Sequence, residues 1–232
     1  MKIVFIYNGT ENLGIEYLSS FLKSKGHEIY LLLDPDIFGE QLINSKFLSR
    51  LFSIDKEILK RTIKFKPGLV AFSTYTGNYR WCLKIAQSIK KLADIPIVFG
   101  GVHTTAVPET VLSNDFIDFA IIGEGELAIL DLIEHLEKGG GQEELLNISN
   151  ICFRYEGSFQ VNSPRPYIKN LDSLPFPDKA LFYDKVPFLE RSYHNLRYCS
   201  REWDKSCARL SRPSLPWCAA GNILPLFEKK NY

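Results

Sequence analysis

No apolar run in this 232-residue chain is longer than a few residues, Ile3 to Tyr7 and Leu69 to Phe72 being typical. A bilayer crossing needs roughly 18 to 20, so a spanning helix is excluded. A bias of charge is missing too: 28 Lys and Arg stand against 27 Asp and Glu, a formal net charge of +1. There is therefore no electrostatic case for a nucleic-acid or acidic-membrane partner. Neither G-x-G-x-x-G nor a phosphate-loop Gly-Lys-Ser/Thr occurs, which disfavours a nicotinamide or ATP site. The five cysteines, at 82, 152, 199, 207 and 218, form no zinc-type C-x2-C pair. Nor do they form the C-x3-C-x2-C that an iron-sulfur cluster bound through S-adenosylmethionine would need. Met1-Lys2 is followed by only five apolar residues before Asn8 and Gly9, too few for a signal peptide. A cytoplasmic protein with reduced thiols and no disulfides is expected.

The 45% hydrophobic content is ample for a core. Up to about residue 140, apolar runs alternate with helical patterns, the mark of repeated strand-helix units on a parallel sheet. Strands are predicted at Lys2 to Tyr7, Glu28 to Leu33, Gly68 to Ser73, Ile95 to Phe99 and Phe116 to Ile122. Helices are predicted over Leu13 to Ser24, Ile54 to Phe65, Tyr79 to Leu92 and Glu126 to Glu137, each stopping at or near a Gly or Pro. The expected fold is an α/β, flavodoxin-like (Rossmann-like) three-layer sandwich with a five-stranded parallel sheet, in the order 2-1-3-4-5 in preference to a half-Rossmann arrangement. Ligands of such sheets bind beyond the carboxyl ends of the strands, at the switch point.

Three stretches divide the chain: residues 1–140 as the α/β domain, 141–192 as a β-hairpin and Pro-rich connector, and 193–232 as an irregular tail. The hairpin is read from Ile148 to Tyr155, Glu156-Gly157 and Ser158 to Val161. The tail shifts in composition: five of the ten arginines lie between Arg191 and Arg212, with Trp203 and Trp217 beside them.

The loops at the carboxyl edge hold the candidate site residues. After strand one, Asn8 to Gly14 leads into a helix, with Asn12 or Thr10 as its cap. After strand three, Ser73, Thr74, Thr76 and Asn78 supply uncharged hydrogen-bonding groups suited to a buried heterocycle. Thr76 or Asn78 could instead only cap the next helix. After strand four, Gly100-Gly101 allows close approach to the backbone, followed by Val102, His103, Thr104 and Thr105. His103 has no second ligand at metal-binding spacing and reads as structural or ligand-packing. After strand five come Gly123, Glu124, Gly125 and Glu126, the last placed in the first turn of a helix.

Together, Leu13-Gly14-Ile15-Glu16-Tyr17-Leu18, Gly26-His27-Glu28, Ser73, Gly100-Gly101-Val102-His103-Thr104-Thr105, Pro108-Glu109 and Gly123-Glu124-Gly125-Glu126 resemble a known family. It is the amino-terminal cobalamin-binding domain of cobalamin-dependent radical S-adenosylmethionine enzymes. The resemblance covers roughly residues 1 to 190, and Asn170 to Pro177 is similar to the segment leading into the family's radical barrel. It implies cobalamin across the carboxyl edge, with Ser73 near the dimethylbenzimidazole and Gly100 and Gly101 making room for the nucleotide tail. Thr74 and His103 would line the cavity, and Asn8, Gly14, Thr76, Thr104, Gly123, Glu124 and Gly125 complete the implied set. No catalytic or metal-ligating residue is assigned. More distant cobalamin folds use D-x-H-x-x-G to bring a histidine to cobalt; here the stretch is Gly9-Thr10-Glu11-Asn12-Leu13-Gly14. The resemblance thus implies cobalamin held base-off. A Val at Gly101 is expected to block the tail's approach and leave the fold intact.

Where the family continues into its cluster motif, this chain has an unrelated tail, the expectation for a truncated or frame-shifted product or a free-standing module. Catalysis by this chain alone is not expected; a radical domain would act in trans, and the 4Fe-4S cluster and S-adenosylmethionine belong to full-length relatives. The alternatives are an intact radical S-adenosylmethionine enzyme with an unusual cluster site, or a flavodoxin-like signalling or flavin domain. A receiver-like phosphorylation site would need an acidic cluster at the strand ends, where strand one has Tyr7-Asn8-Gly9.

Overall fold

The computed structural model describes residues 1–35 and 54–184. The irregular-tail reading, and with it Cys199, Cys207 and Cys218, lies outside the described residues. Met1–Phe182 form one compact unit.

Continuously apolar strands are the sequence form of a sheet covered on both faces, and five of them build the parallel part of the sheet. These are β1 (Lys2–Asn8), β2 (Glu28–Asp34), β3 (Leu69–Ser73), β4 (Ile97–Gly100) and β5 (Phe119–Ile121). Their order is β2-β1-β3-β4-β5, the flavodoxin-like order expected. Two further strands, β6 (Ile151–Tyr155) and β7 (Ser158–Val161), extend the same sheet antiparallel from β5. Among the described residues the sheet thus has seven strands, correcting the five-stranded expectation: the hairpin adds an edge instead of following the domain. Ala120 opposite Cys152 fixes that join.

Helices α1 (Leu13–Ser24), α2 (Asp55–Phe65) and α3 (Tyr79–Leu92) match their predicted spans closely. The short α4 (Val102–Ala106) and α5 (Pro108–Leu112) follow β4, and α6 (Glu126–Lys138) follows β5. Helix α7 (Gln142–Leu145) precedes β6. Helix α1 packs beside α6, and α2 beside α3. Alternation along the strands serves both helical layers: Val4, Ile6, Val70 and Phe72 join Ile58, Cys82 and Ile85 in the α2–α3 core. The thiols of Cys82 and Cys152 are buried in this apolar interior, which pushes both up, that of Cys152 to about 11. They stay protonated and inert.

Strand β5 starts three residues later than the apolar run suggested, and β4 two residues later. The Asp118 carboxylate explains both shifts, because it accepts from the Ile97 amide at 2.8 Å and from Lys90 Nζ at 3.0 Å. The entry to β5 is thus held by a side chain before the ladder begins. Among the described residues no helix is long and apolar enough to cross a membrane.

Candidate functional site

The carboxyl ends of β1, β3, β4 and β5 meet at a cavity of about 210 Å³. Its apolar lining is Phe5, Leu18, Ala71, Phe72, Val98, Ile121 and Ile129, from four strands and two helices. Sequence reasoning missed these seven. Their signal was present in the strand alternation, since Phe5, Ala71 and Val98 sit one register row apart from the residues packed under α2 and α3. The rim is backbone: Gly14, Gly100, Gly101, Gly123 and Gly125 all line the cavity, with Ser73 and Glu124. Seven of the twelve predicted site residues are therefore brought together.

Asn12 organises the first loop. Its Oδ1 accepts from the Ile15 amide at 3.0 Å, the cap of α1, and its Nδ2 donates to Ser73 Oγ at 3.2 Å. The β1 loop is thereby tied to the end of β3. Having accepted this bond, the Ser73 hydroxyl still carries its own proton to donate at the cavity edge. Ser73 lies directly opposite Gly100 in the ladder. Asn78 begins α3 without a side-chain cap bond; it accepts from the Tyr75 amide at 2.9 Å and donates to the Ser73 carbonyl at 3.1 Å, stapling the loop.

The other five predicted residues lie off the cavity lining. Asn8 is buried at the end of β1. Thr74 and Thr104 are buried with their hydroxyls 2.8 Å apart, and Thr74 Oγ1 also donates to the Gly100 carbonyl at 2.9 Å. They lock the β3 loop to α4. Thr74→Val is expected to cost about 1 to 2 kcal/mol by leaving Thr104 Oγ1 without this partner, read as a melting temperature lower by about 2 to 8 °C. The His103 ring lies on Tyr79, centroids 4.1 Å apart, with Nδ1 3.3 Å from Thr76 Oγ1. Its Nε2 is buried without a hydrogen-bond partner among the described residues. Glu124 accepts from the Ile168 amide at 2.9 Å, so part of its capacity is spent on the connector.

The two adjacent glycines differ. A Cβ on Gly100 would meet nothing nearer than the Ile121 and Phe72 carbonyl oxygens at 4.0 Å. Gly101 has φ +97°, and a Cβ there would lie 2.6 Å from the Thr74 carbonyl oxygen and 2.8 Å from its nitrogen. The expectation that Val at 101 leaves the fold intact is thus corrected: that position is required by backbone packing, while the open cradle belongs to Gly100.

A parallel sheet of this order, with a glycine-rimmed cavity at its switch point and no phosphate loop, defines an α/β cofactor-binding domain. The family model described as B12 binding domain matches residues 4–133, and the chain belongs to that family. Cobalamin, the cofactor expected from the sequence, is the one for which the family is named. The chain is similar to an uncharacterized methyltransferase of Pyrococcus horikoshii, 29% identical over 201 residues, covering 81% of this chain and 39% of that protein. A solved structure of OxsB, a cobalamin-dependent S-adenosylmethionine radical enzyme with aqua-cobalamin and S-adenosylmethionine bound, has the same fold. It has a TM-score of 0.61 at 18% identity, over 78% of this chain and 24% of that one. The radical S-adenosylmethionine methyltransferase TsrM of Kitasatospora setae, with cobalamin and a 4Fe-4S cluster bound, gives 0.57 at 15%, over 76% and 31%. The chain thus spans less than two fifths of the length of these relatives.

Proposed function

We propose that this chain holds cobalamin base-off at the carboxyl edge of its sheet, for a domain that carries out radical or methyl-transfer chemistry. Residues 1–140 hold the cofactor, the hairpin extends their sheet, and the stretch that follows it leads toward that domain. The observation that carries the reading is the glycine-rimmed cavity. At about 210 Å³ it exceeds the roughly 150 Å³ that takes up a benzene ring, but falls short of the 300 Å³ or more typical of whole-ligand pockets. It suits an aromatic base and part of its tail, so the corrin macrocycle belongs over the mouth. Exposed apolar residues at three helix starts, Leu13, Val102 and Leu127, supply a surface for it there.

When bound, cobalamin supplies a cobalt centre that accepts and gives up alkyl groups. The chain's own contribution is to bind and orient. Ser73 donates to the buried base, Gly100 leaves room for the tail, and Phe5, Ala71 and Val98 exclude water from it. Base-off binding is supported by the cavity's fit to the base, since a base buried there is not on cobalt; the Gly9 to Gly14 loop has no histidine to replace it, and its one amide side chain, Asn12, is already committed to the helix cap and Ser73.

The test is a visible-absorption titration with hydroxocobalamin followed by gel filtration. Co-elution with a base-off spectrum is the expected result; a folded protein that emerges colourless overturns the proposal. Ser73→Ala should weaken binding about two- to tenfold, the worth of one hydrogen bond.

A further inference from the structure

Among the described residues that line the cavity, Ser73 carries the one uncharged polar side chain; the charged ones are Glu124 and Glu126. Its place is fixed from two sides. The Ser73 carbonyl accepts from Asn78 Nδ2 at 3.1 Å, and Asn78 is itself buried, while the ladder sets Ser73 opposite Gly100. From the β1 loop, Asn12 Nδ2 stands 3.2 Å from Ser73 Oγ.

Which of these two side chains gives the proton is decided one bond further back. The Ile15 amide can only donate, and it lies 3.0 Å from the Asn12 side chain, so the carboxamide atom facing it is the oxygen. The nitrogen is thereby turned to Ser73, and an amide nitrogen accepts no hydrogen bond. Ser73 Oγ must accept, and its own proton is left for the cavity. Among the described residues this is the one hydrogen bond of that hydroxyl. The cap of α1 thus sets the hydrogen-bonding polarity of a side chain 61 positions away on another strand.

We infer that Asn12 is a positioning residue that keeps Ser73 a donor, and that the cavity thereby selects among cobamides, the corrinoids that differ from cobalamin in their lower base. Bases with an in-plane ring nitrogen, such as benzimidazole or a purine, are taken in preference to phenolic ones. This deepens the cobalamin reading and rests on it. Ser73 can donate to the in-plane lone pair of a ring nitrogen that has left cobalt. A phenolic base has no such atom, and its entry leaves the hydroxyl unpaired in a cavity walled by Phe5, Ala71 and Val98. A carboxylate in place of the amide reverses the polarity. Asn12→Asp still caps α1, since Asp and Asn serve about equally well there, but its second oxygen can only accept. The Ser73 proton then turns to that oxygen, and the hydroxyl offers the base its lone pairs instead.

The experiment is a pair of binding titrations on the full-length chain, one with hydroxocobalamin and one with the corresponding phenolyl cobamide, followed by visible absorption or calorimetry. Freeing benzimidazole from cobalt costs the same for every variant, so it cancels when the ratio of the two dissociation constants is compared between variants. Asn12→Asp is expected to shift that ratio about tenfold against the benzimidazole cobamide, with a melting temperature near that of the unaltered chain. Ser73→Ala should shift it in the same direction. Adding Asn12→Asp to Ser73→Ala should move it no further, since the amide acts through the hydroxyl. A ratio unchanged within about twofold in Asn12→Asp overturns the inference and leaves cobalamin binding in place; so does an equal shift in the Ser73→Ala background. Should Asn12→Asp fail to fold, an unchanged ratio in Ser73→Ala overturns it equally. A folded chain that takes up neither cobamide overturns the cobalamin reading and this inference together.

Discussion

Leucine in place of Gly100 is expected to abolish cobalamin binding while the domain stays folded. The position lines the cavity, and its new Cβ meets no atom closer than 4.0 Å. The rest of the side chain must then occupy the space claimed for the base and tail. A loss of at least about a hundredfold in affinity, some 2.7 kcal/mol, is expected, with a melting temperature close to that of the unaltered chain. Gly101→Ala should behave in the opposite sense. With φ +97° and the Thr74 backbone 2.6 Å away, even one methyl group strains the chain and displaces a neighbour that cannot rotate aside. Strain and overpacking together cost about 2 to 5 kcal/mol, a fall of about 5 to 15 °C for a unit of this size. Thermal melts beside hydroxocobalamin titrations measure both variants. If Gly100→Leu binds as tightly as the unaltered chain, the cavity is not the site of the base.

That two neighbouring glycines do different jobs could not be read from Gly100-Gly101 as letters. The pair was legible as a place of close approach, but the approaching group at Gly101 is the chain itself, through a contact with Thr74 set by the pairing of β3 with β4. Local patterns were legible where local physics dominates. Helix α1 spans the predicted Leu13–Ser24 and has Asn12 as its cap, because apolar spacing and a capping side chain lie within a few residues of one another. The sheet class and the handedness of crossovers narrowed the parallel strands to two orders, flavodoxin-like or half-Rossmann, and the structure has the first. Helices α4 and α5 escaped because each has five residues, too few to establish a period. The hairpin's place in the sheet escaped because Ala120 and Cys152 carry no mark of being partners. The same holds for the connector: Lys179 reads as one more surface lysine until the fold sets it between Glu11 and Glu16.

Arg154 is the largest such omission in the framework, and removing its charge should lower stability while sparing the site. This residue of β6 reaches back to the loop between α5 and β5, where its guanidinium donates to the carbonyls of Leu112, Asn114, Asp115 and Ile117. Leu112 and Ile117 are fully buried, so their carbonyls cannot readily turn to water once the donor is gone. Arg154→Met keeps the aliphatic stem and deletes all four bonds. Losing charged donors to buried acceptors costs about 1.5 to 3 kcal/mol each, and less than the sum when they act as one group. A total near 3 kcal/mol lowers the melting temperature by about 6 to 12 °C. Arg154→Lys should fall between, since one ammonium cannot span four carbonyls that a planar fork reaches together. Below its melting transition Arg154→Met should still bind hydroxocobalamin within a few-fold of the unaltered chain, because the anchored loop enters β5 at the end away from Gly123 to Gly125. A melting temperature unchanged within about 1 °C would show that water replaces the guanidinium and that the loop holds its course into β5 without it.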